Sequence, residues 1–254
     1  MRQLIVCADD FGRELGINEA VEAAHRGGIL STASLMVTAT AAADAVERAR
    51  RLPELKIGLH LALVDDDNQI GEALRYFFLP GARRRLASEI RAQFEAFQQT
   101  GLVLDHVNAH KHMHVHPTVA RLVVEIGRDF GMQAVRLPDE PAAVLNAAAP
   151  GETHRAPAWQ PAVAALRRRL ERAGLAKNDH LFGIAWTGGM VEERVLALLS
   201  HLPPGVSELY CHPATGNAEL AALLSPRARE RIAELGIALI GYADLAPGRA
   251  APAG

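Results

Sequence analysis

Residues 3–8, QLIVCA, form a short apolar run that is followed at 17–26 by INEAVEAAHR, whose apolar spacing is that of an amphipathic helix. Short apolar runs of this kind alternate with longer helical patterns along the chain. We predict strands at 3–8, 32–37, 56–61, 104–109, 133–137, 181–186, 206–211 and 237–242. Repeated strand and helix units build parallel sheets, and eight of them are enough to close a barrel. The sequence therefore predicts an α/β fold, a single-domain, TIM-like (β/α) barrel with a distorted outline.

Amphipathic stretches separate the predicted strands at 17–26, 41–51, 84–99, 118–130, 162–173 and 191–201. In the third of these, apolar residues recur on one helical face, which we expect to pack in the core: Leu86, Ile90, Phe94 and Phe97. The Pro- and Ala-rich segment 138–161 indicates a long loop after the fifth strand. We expect one barrel domain over 1–245 and a disordered tail at 246–254.

The bulk composition is that of an ordinary globular protein, with 49% hydrophobic and 22% charged residues. A formal net charge of −2 argues against a nucleic-acid partner. The two cysteines, Cys7 and Cys211, are too few for a disulfide framework. No signal-peptide pattern and no apolar run of about 18 residues is present, so we expect a cytoplasmic protein without a transmembrane segment.

Chemically capable side chains fall at the C-terminal ends of the predicted strands: Asp9 and Asp10 on the first, His60 on the third, His110 on the fourth, Arg136 on the fifth, Trp186 on the sixth and His212 after the seventh. Barrel enzymes build their active sites at this face, from loops that follow the strands. Independent surface residues would not be expected to share one rim. The pattern therefore predicts a functional site there.

The adjacent carboxylates Asp9 and Asp10 would repel each other and lose hydration at the end of a buried strand, so their presence suggests a cation that neutralises them. The alternative is that one caps the following helix while the other is solvated. His60 lies inside an apolar strand, and such a histidine by itself is more often a hydrogen-bonded core or rim residue than a ligand.

Five of the eleven histidines lie within 106–116. Such a cluster favours a metal site or proton transfer, although a polar loop or a solvated strand face is the better explanation of any single member. A packed strand cannot bury so many imidazoles, so we expect the chain to turn near His110. Only the first one or two of these histidines then reach the site, while the later ones line or support the loop. His212 precedes Pro213, whose restraint on the backbone suits an aimed ring, with a half-exposed loop histidine as the alternative.

Four motifs carry a resemblance to a known family: ADDFG at 8–12, GLHL at 58–61, NAHKHMHVHP at 108–117 and CHPA at 211–214. In this order they resemble the YdjC-like carbohydrate deacetylases, which include enzymes acting on N-acetylated chito-oligosaccharides. Longer stretches such as INEAVEAAHRGGILSTASLMV look most like the branch associated with hopanoid biosynthesis. The resemblance implies a barrel related to polysaccharide deacetylases and, for this branch, removal of acetyl from an N-acetylglucosaminyl hopanoid.

The resemblance also implies roles for individual residues. Asp10, His60 and His110 would bind one divalent metal ion, Zn or Mg, with His114 as the reserve candidate for the histidine cluster. The two imidazoles favour zinc on ligand softness. Asp9 would be the general base and His212 the general acid. Three protein ligands leave open coordination positions, as a catalytic site requires.

Further expectations concern the surroundings and the partners. Arg136 would orient Asp9 or pair at the rim, Trp186 would face a sugar or pack in the core, and the aromatic residues at 76–78 would form a lip for a lipid-linked acceptor or a buried anchor. Asn108 stands where many relatives have aspartate. We expect an amino-sugar substrate, a homodimer by resemblance, and transient contact with the inner membrane surface.

Two other functions remain open from the sequence. One is a different metal hydrolase, such as a phosphoesterase or an amidohydrolase-like barrel, although the first strand carries no HxH and no Gly-rich phosphate cradle is present. The other is a catalytically silent metal- or sugar-binding protein. Asp9 argues against the latter, because a binding protein needs no spare carboxylate beside its ligand.

Overall fold

The computed structural model describes residues 1–63 and 79–245. The predicted tail at 246–254 and the predicted lip at 76–78 lie outside the described residues. Within the described ranges, no helix is both long and apolar enough to cross a membrane.

The described strands form one parallel sheet: β1 (Arg2–Phe11), β2 (Thr32–Leu35), β3 (Lys56–Leu61), β4 (Leu104–Ala109), β5 (His180–Phe182), β6 (Gly205–Cys211) and β7 (Ala238–Leu239). Their order is β4-β3-β2-β1-β6-β5, and β7 pairs with the start of β1. β1 is central because nearly all of it is buried and it pairs with both β2 and β6. The α/β fold is confirmed, as a curled parallel sheet resembling a half-barrel.

The predicted strand at 133–137 is wrong, because this segment makes only two isolated bridges, Val107 to Val135 and Ala134 to Ala176. On one side the segment makes two hydrogen bonds with Val107 of β4, from the Arg136 N–H to the Val107 carbonyl and from the Val107 N–H to the Ala134 carbonyl, and on the other side it makes two with Ala176. A single bridged pair on each side is too short for a strand ladder. The segment still spans the gap beside β4, which gives the barrel its distorted outline.

Helices surround the sheet: α1 (Leu15–Gly27), α2 (Ala42–Arg50), α3 (Pro80–Gln99), α4 (Pro117–Gly127), α5 (Ala142–Ala148), α6 (Gln160–Ala173), α7 (Glu192–His201), α8 (Ala218–Leu223) and α9 (Pro226–Glu234). The apolar face predicted for α3 is buried, as expected. The predicted loop at 138–161 is partly wrong, since α5 lies within it. Alanine has the highest helix propensity, and Leu145 anchors this short helix in the core.

The histidine-rich segment follows β4 as a short 3₁₀ turn over His110–Val115. Within it, Lys111 and His112 have positive φ angles of 52° and 55°. The strand therefore ends at Ala109, and the turn sends successive histidines in different directions rather than along one strand face.

Candidate active site

The end of β1 presents two carboxylates to the same cavity. In a regular strand successive side chains point to opposite faces, but Asp10 has φ 62° and the pairing with β2 shifts register between Ala8 and Phe11. A positive φ is uncommon for aspartate and marks a backbone held in place by its surroundings. This local distortion brings Asp9 and Asp10 together at the mouth of the barrel, where both line the cavity.

Asp10 lies against two histidines from neighbouring strands. Its Oδ1 atom is 3.3 Å from His60 Nε2, near the end of β3, and 3.4 Å from His110 Nδ1, directly after β4. The three ligand atoms lie within 4.8 Å of one another. Burial raises the pKa of Asp10, but the neighbouring groups, His110 first among them, outweigh it and hold the pKa well below its usual value.

The geometry of this cluster fits a divalent metal ion. Although both atoms are buried, neither Asp10 Oδ1 nor His60 Nε2 has a hydrogen-bond partner among the described residues. Buried polar atoms rarely lack partners, so two of them aimed at one point need an explanation. One carboxylate oxygen and two imidazole nitrogens form a ligand set that zinc accepts, with positions left open for water and substrate.

Asp9 does not belong to this cluster, and a buried arginine binds it. Arg136 donates from Nη1 to Asp9 Oδ2 at 2.6 Å and from Nη2 to Asp9 Oδ1 at 2.8 Å. Burial raises the pKa of Asp9, but the Arg136 guanidinium opposes this and the pKa lies well below its usual value. Asp9 is therefore ionised at neutral pH.

Arg136 itself is fully buried and bridges two strands. Besides Asp9 on β1, Arg136 binds Glu208 on β6, and its Nη2 atom lies 2.7 Å from Glu208 Oε1. The Tyr242 hydroxyl donates to Glu208 at 2.5 Å, and the guanidinium lies 4.9 Å from the ring centre of Tyr210. Glu208 therefore fixes the Arg136 guanidinium, and the guanidinium sets the position of Asp9 with little freedom.

His212 follows β6 and completes the polar lining of the cavity. Its backbone N–H donates to Glu219 at 2.5 Å, and its ring packs edge-on against Tyr210 at 5.6 Å between centres. The cavity measures about 500 Å³. Five residues predicted from the sequence meet at this mouth: Asp9, Asp10, His60, His110 and His212.

The family model described as YdjC-like protein matches residues 3–234, which is most of the chain. This chain belongs to the YdjC-like family. The match spans every residue of the cavity named above, so the cluster belongs to the part of the chain that the family shares.

Among the relatives of this YdjC-like protein, a carbohydrate deacetylase from Geobacillus stearothermophilus is 30% identical over 96% of the chain and 98% of its own length. A carbohydrate deacetylase from Vibrio cholerae serotype O1 is 35% identical over 50% of the chain and 56% of its own length. A crystal structure from Enterococcus faecalis V583, described as a candidate cellobiose-phosphate cleavage protein, has a TM-score of 0.72 at 22% identity and covers 96% of this chain and 99% of its own. That likeness supports the fold.

Three predicted residues do not line the cavity: Arg136, described above, His114 and Trp186. His114 is buried beneath it, where its Nε2–H donates to the Arg136 carbonyl at 3.0 Å, and burial lowers the pKa of His114 to about 3. Trp186 donates its indole N–H to Glu152 at 2.7 Å and does not line the cavity. The predicted strand end at Trp186 is wrong, because β5 ends at Phe182. Trp186 packs in the hydrophobic core, which is the alternative named for it above, and its contact with a sugar stays a prediction. His114 is also not in the Asp10 cluster, because the 3₁₀ turn directs it inward.

Several residues that line the cavity were not predicted from the sequence, and three of them are Trp159, Tyr210 and Arg13. Trp159 lies at the start of α6 and is 45% exposed, Tyr210 lies on β6, and Arg13 donates to Asp10 Oδ2 at 3.0 Å. An exposed tryptophan inside a segment read as a loop gives no periodic signal. Arg13 could have been suspected, since a cation three residues after an acid pair is close to it in any turn.

Proposed function

We propose that this YdjC-like protein hydrolyses the N-acetyl group of an amino sugar with the help of one divalent metal ion. The observation that carries the proposal is the cluster of Asp10, His60 and His110 at a cavity that also contains Asp9 and His212. Full-length similarity to a carbohydrate deacetylase supports the same chemistry.

The residues divide the work in the following way. A divalent ion held by Asp10, His60 and His110 would polarise the acetyl carbonyl and lower the pKa of a water molecule toward neutrality. Asp9, ionised at neutral pH, accepts the water proton. Because Arg136 also weakens Asp9 as a base, the proton is held loosely. The deprotonated water would then add to the acetyl carbon, and His212 would donate a proton to the sugar nitrogen as the C–N bond breaks. A neutral amine and acetic acid then leave, and the acid loses its proton to the solvent.

The ligand set supports zinc over magnesium, because imidazole nitrogen is a softer ligand than the oxygens magnesium prefers. Trp159 offers an exposed aromatic face to a sugar ring at the cavity mouth. By sequence resemblance, the acceptor is an N-acetylglucosaminyl hopanoid, and a chito-oligosaccharide is the alternative. A cytoplasmic location, contact with the inner membrane surface, a homodimer and the single domain over 1–245 stay predictions.

The test is an acetate-release assay on metal-free protein reloaded with Zn²⁺ or Mg²⁺, with N-acetylglucosaminyl hopanoid and N,N′-diacetylchitobiose compared. We expect acetate from one acceptor class and only with metal. His60→Ala and His110→Ala should lose both metal binding and acetate release while keeping the circular dichroism spectrum of the wild type.

Three outcomes would contradict the proposal. Full activity in either alanine variant rules out the ligand set. Phosphate release without acetate release in a substrate panel indicates another metal hydrolase. Binding of metal and acetylated sugar without turnover on any acceptor indicates a silent binding protein.

A further inference from the structure

A chain of buried polar residues runs through the barrel interior beneath the Asp10 cluster. It consists of Asp105, His106, Ser34 and Asn108, and we refer to it as the interior polar chain. Each of these side chains is at most 3% exposed. None belongs to the proposed ligand set or lines the cavity. A fully buried polar chain has no access to substrate, so its function must be exerted through its neighbours.

The direction of the hydrogen bonds along the interior polar chain is fixed at its Asp105 end. The backbone N–H groups of Tyr242 and Ala243 donate to the two Asp105 carboxylate oxygens at 3.3 and 2.8 Å. Asp105 therefore acts as an acceptor, and His106 must place its proton on Nδ1, which lies 2.9 Å from Asp105 Oδ2. With neutral His106, Nε2 accepts from the Ser34 hydroxyl at 2.9 Å.

Asn108 connects the upper end of the chain to the site. Its amide nitrogen donates to Asp9 Oδ1 and to Ser34 Oγ, each at 3.0 Å. The Asp9 carboxylate can only accept, so the amide nitrogen must face it and the amide oxygen must face His60. That oxygen lies 2.7 Å from His60 Nδ1. The Nδ1 atom of His60 consequently carries the proton.

His60 has an oxygen beside each ring nitrogen, Asn108 Oδ1 at 2.7 Å from Nδ1 and Asp10 Oδ1 at 3.3 Å from Nε2, but only the contact at Nδ1 is a hydrogen bond. A neutral imidazole has one protonated nitrogen, so the proton on Nδ1 leaves the lone pair on Nε2, the atom that faces Asp10. We propose that Asn108 is a positioning residue that selects this tautomer of His60 before any metal ion binds, and that the interior polar chain holds Asn108 in the required orientation. The proposal rests on the proposed role of His60 as a ligand and not on the proposed reaction.

Asn108 accepts a hydrogen bond from His60 and donates one to Asp9, and an ionised aspartate could only accept. A carboxylate at 108 would also accept from His60 Nδ1, but it would place a second negative charge where the amide nitrogen now lies, 3.0 Å from Asp9 Oδ1. Two carboxylates at that distance repel and favour sharing a proton. The amide instead gives His60 an acceptor and Asp9 a donor.

Gly58 accounts for part of the GLHL motif in the same terms. A Cβ atom at Gly58 would lie 2.4 to 2.6 Å from three atoms of the His106 ring. That ring also stacks on Tyr242, with ring centres 4.6 Å apart, so it cannot move away freely. The strand that supplies His60 therefore lacks a side chain two residues earlier because the interior polar chain occupies that space.

The test is a measurement of the His60 tautomer in metal-free protein with ¹⁵N-labelled histidine, by NMR at alkaline pH where imidazoles are neutral. We expect the wild type to show His60 protonated on Nδ1 alone. Asn108→Leu should populate the Nε2–H form and weaken Zn²⁺ binding, measured by calorimetry, by about 10- to 100-fold, as loss of a partner behind a ligand does elsewhere.

Asn108→Asp is the matched control, because its carboxylate still accepts from His60. We expect it to keep the Nδ1–H tautomer and to lose less Zn²⁺ affinity than the leucine variant. A wild-type His60 protonated on Nε2 would overturn the proposal, even if the leucine variant failed to fold. So would unchanged tautomer and affinity in a folded Asn108→Leu. Failure of acetate release with the expected tautomers and affinities would instead refute only the proposed function.

Discussion

Replacing Arg136 by methionine tests how Asp9 is held. The guanidinium donates five hydrogen bonds of 2.6 to 3.1 Å to Asp9 and Glu208, and all three side chains are at most 3% exposed. Methionine fills similar space but leaves two carboxylates buried without a cation. Removing one partner of a buried ion pair costs about 3–5 kcal/mol, so we expect a loss near 5 kcal/mol, a large part of the roughly 5–15 kcal/mol that stabilises a domain.

The pH dependence of the loss gives a second readout. In the wild type the pKa of Asp9 is depressed, so its contribution to stability is present at neutral pH and is lost only as pH falls below the unfolded value of about 3.9. In Arg136→Met, burial without the guanidinium raises the pKa of Asp9 above that value. The folded variant then binds more protons than the unfolded chain, so its stability rises as the pH is lowered from about 7 toward 5.

The assay is urea unfolding followed by circular dichroism at both pH values. The control combines Arg136→Met with Asp9→Asn and Glu208→Gln, which removes the charges that were left unpaired and should recover most of the loss. If the free energy of unfolding of the single variant falls by less than about 1 kcal/mol, the cost expected for a broken buried pair is absent and the role given to Arg136 is wrong. Equal instability of the single and triple variants would do so as well.

Three further predictions concern other positions. Burial lowers the pKa of His114 to about 3, so the unfolded chain binds a proton that the folded protein excludes. The free energy of unfolding of the wild type should therefore fall by about 2 kcal/mol between pH 7 and pH 5, and His114→Gln should not show this fall. The same pH dependence of urea unfolding in both proteins would contradict the prediction. Gly58→Ala should displace the His106 ring and destabilise the protein by about 1–3 kcal/mol, whereas an unchanged urea midpoint would show that the ring has room to move. Trp159→Ala should raise KM for the amino sugar several-fold without lowering the urea midpoint, because Trp159 is 45% exposed; an unchanged KM would remove it from the substrate site.

Much of the fold could be predicted from the sequence because its signals are local. Apolar runs and helical spacing located seven of the eight predicted strands, and the apolar face of α3 is buried as expected. The remaining predicted strand, at 133–137, is not formed although its composition suits a strand, because strand pairing depends on the neighbours that the tertiary fold supplies. The predicted strand end at Trp186 is wrong for a related reason. The strand ends at Phe182, and Gly183, with a positive φ of 130°, turns the chain before Trp186.

The candidate site divides in the same way. Sequence position placed Asp10, His60 and His110 at strand ends, and parallel strands bring such ends to one edge of a sheet. It did not choose among the clustered histidines on physical grounds, because the 3₁₀ turn over His110–Val115 decides where each ring points.

The alternation of strands and helices, and the types of residue available at the strand ends, can be predicted from local sequence. How those residues act depends on the folded chain. The two carboxylates share a cavity because Asp10 has φ 62°. Asp9 is ionised because Arg136, 127 positions away, binds it, and Asn108, 99 positions away, donates to it as well. Charge state and hydrogen-bond direction depend on partners that are distant in the chain, and only folding brings those partners within contact distance.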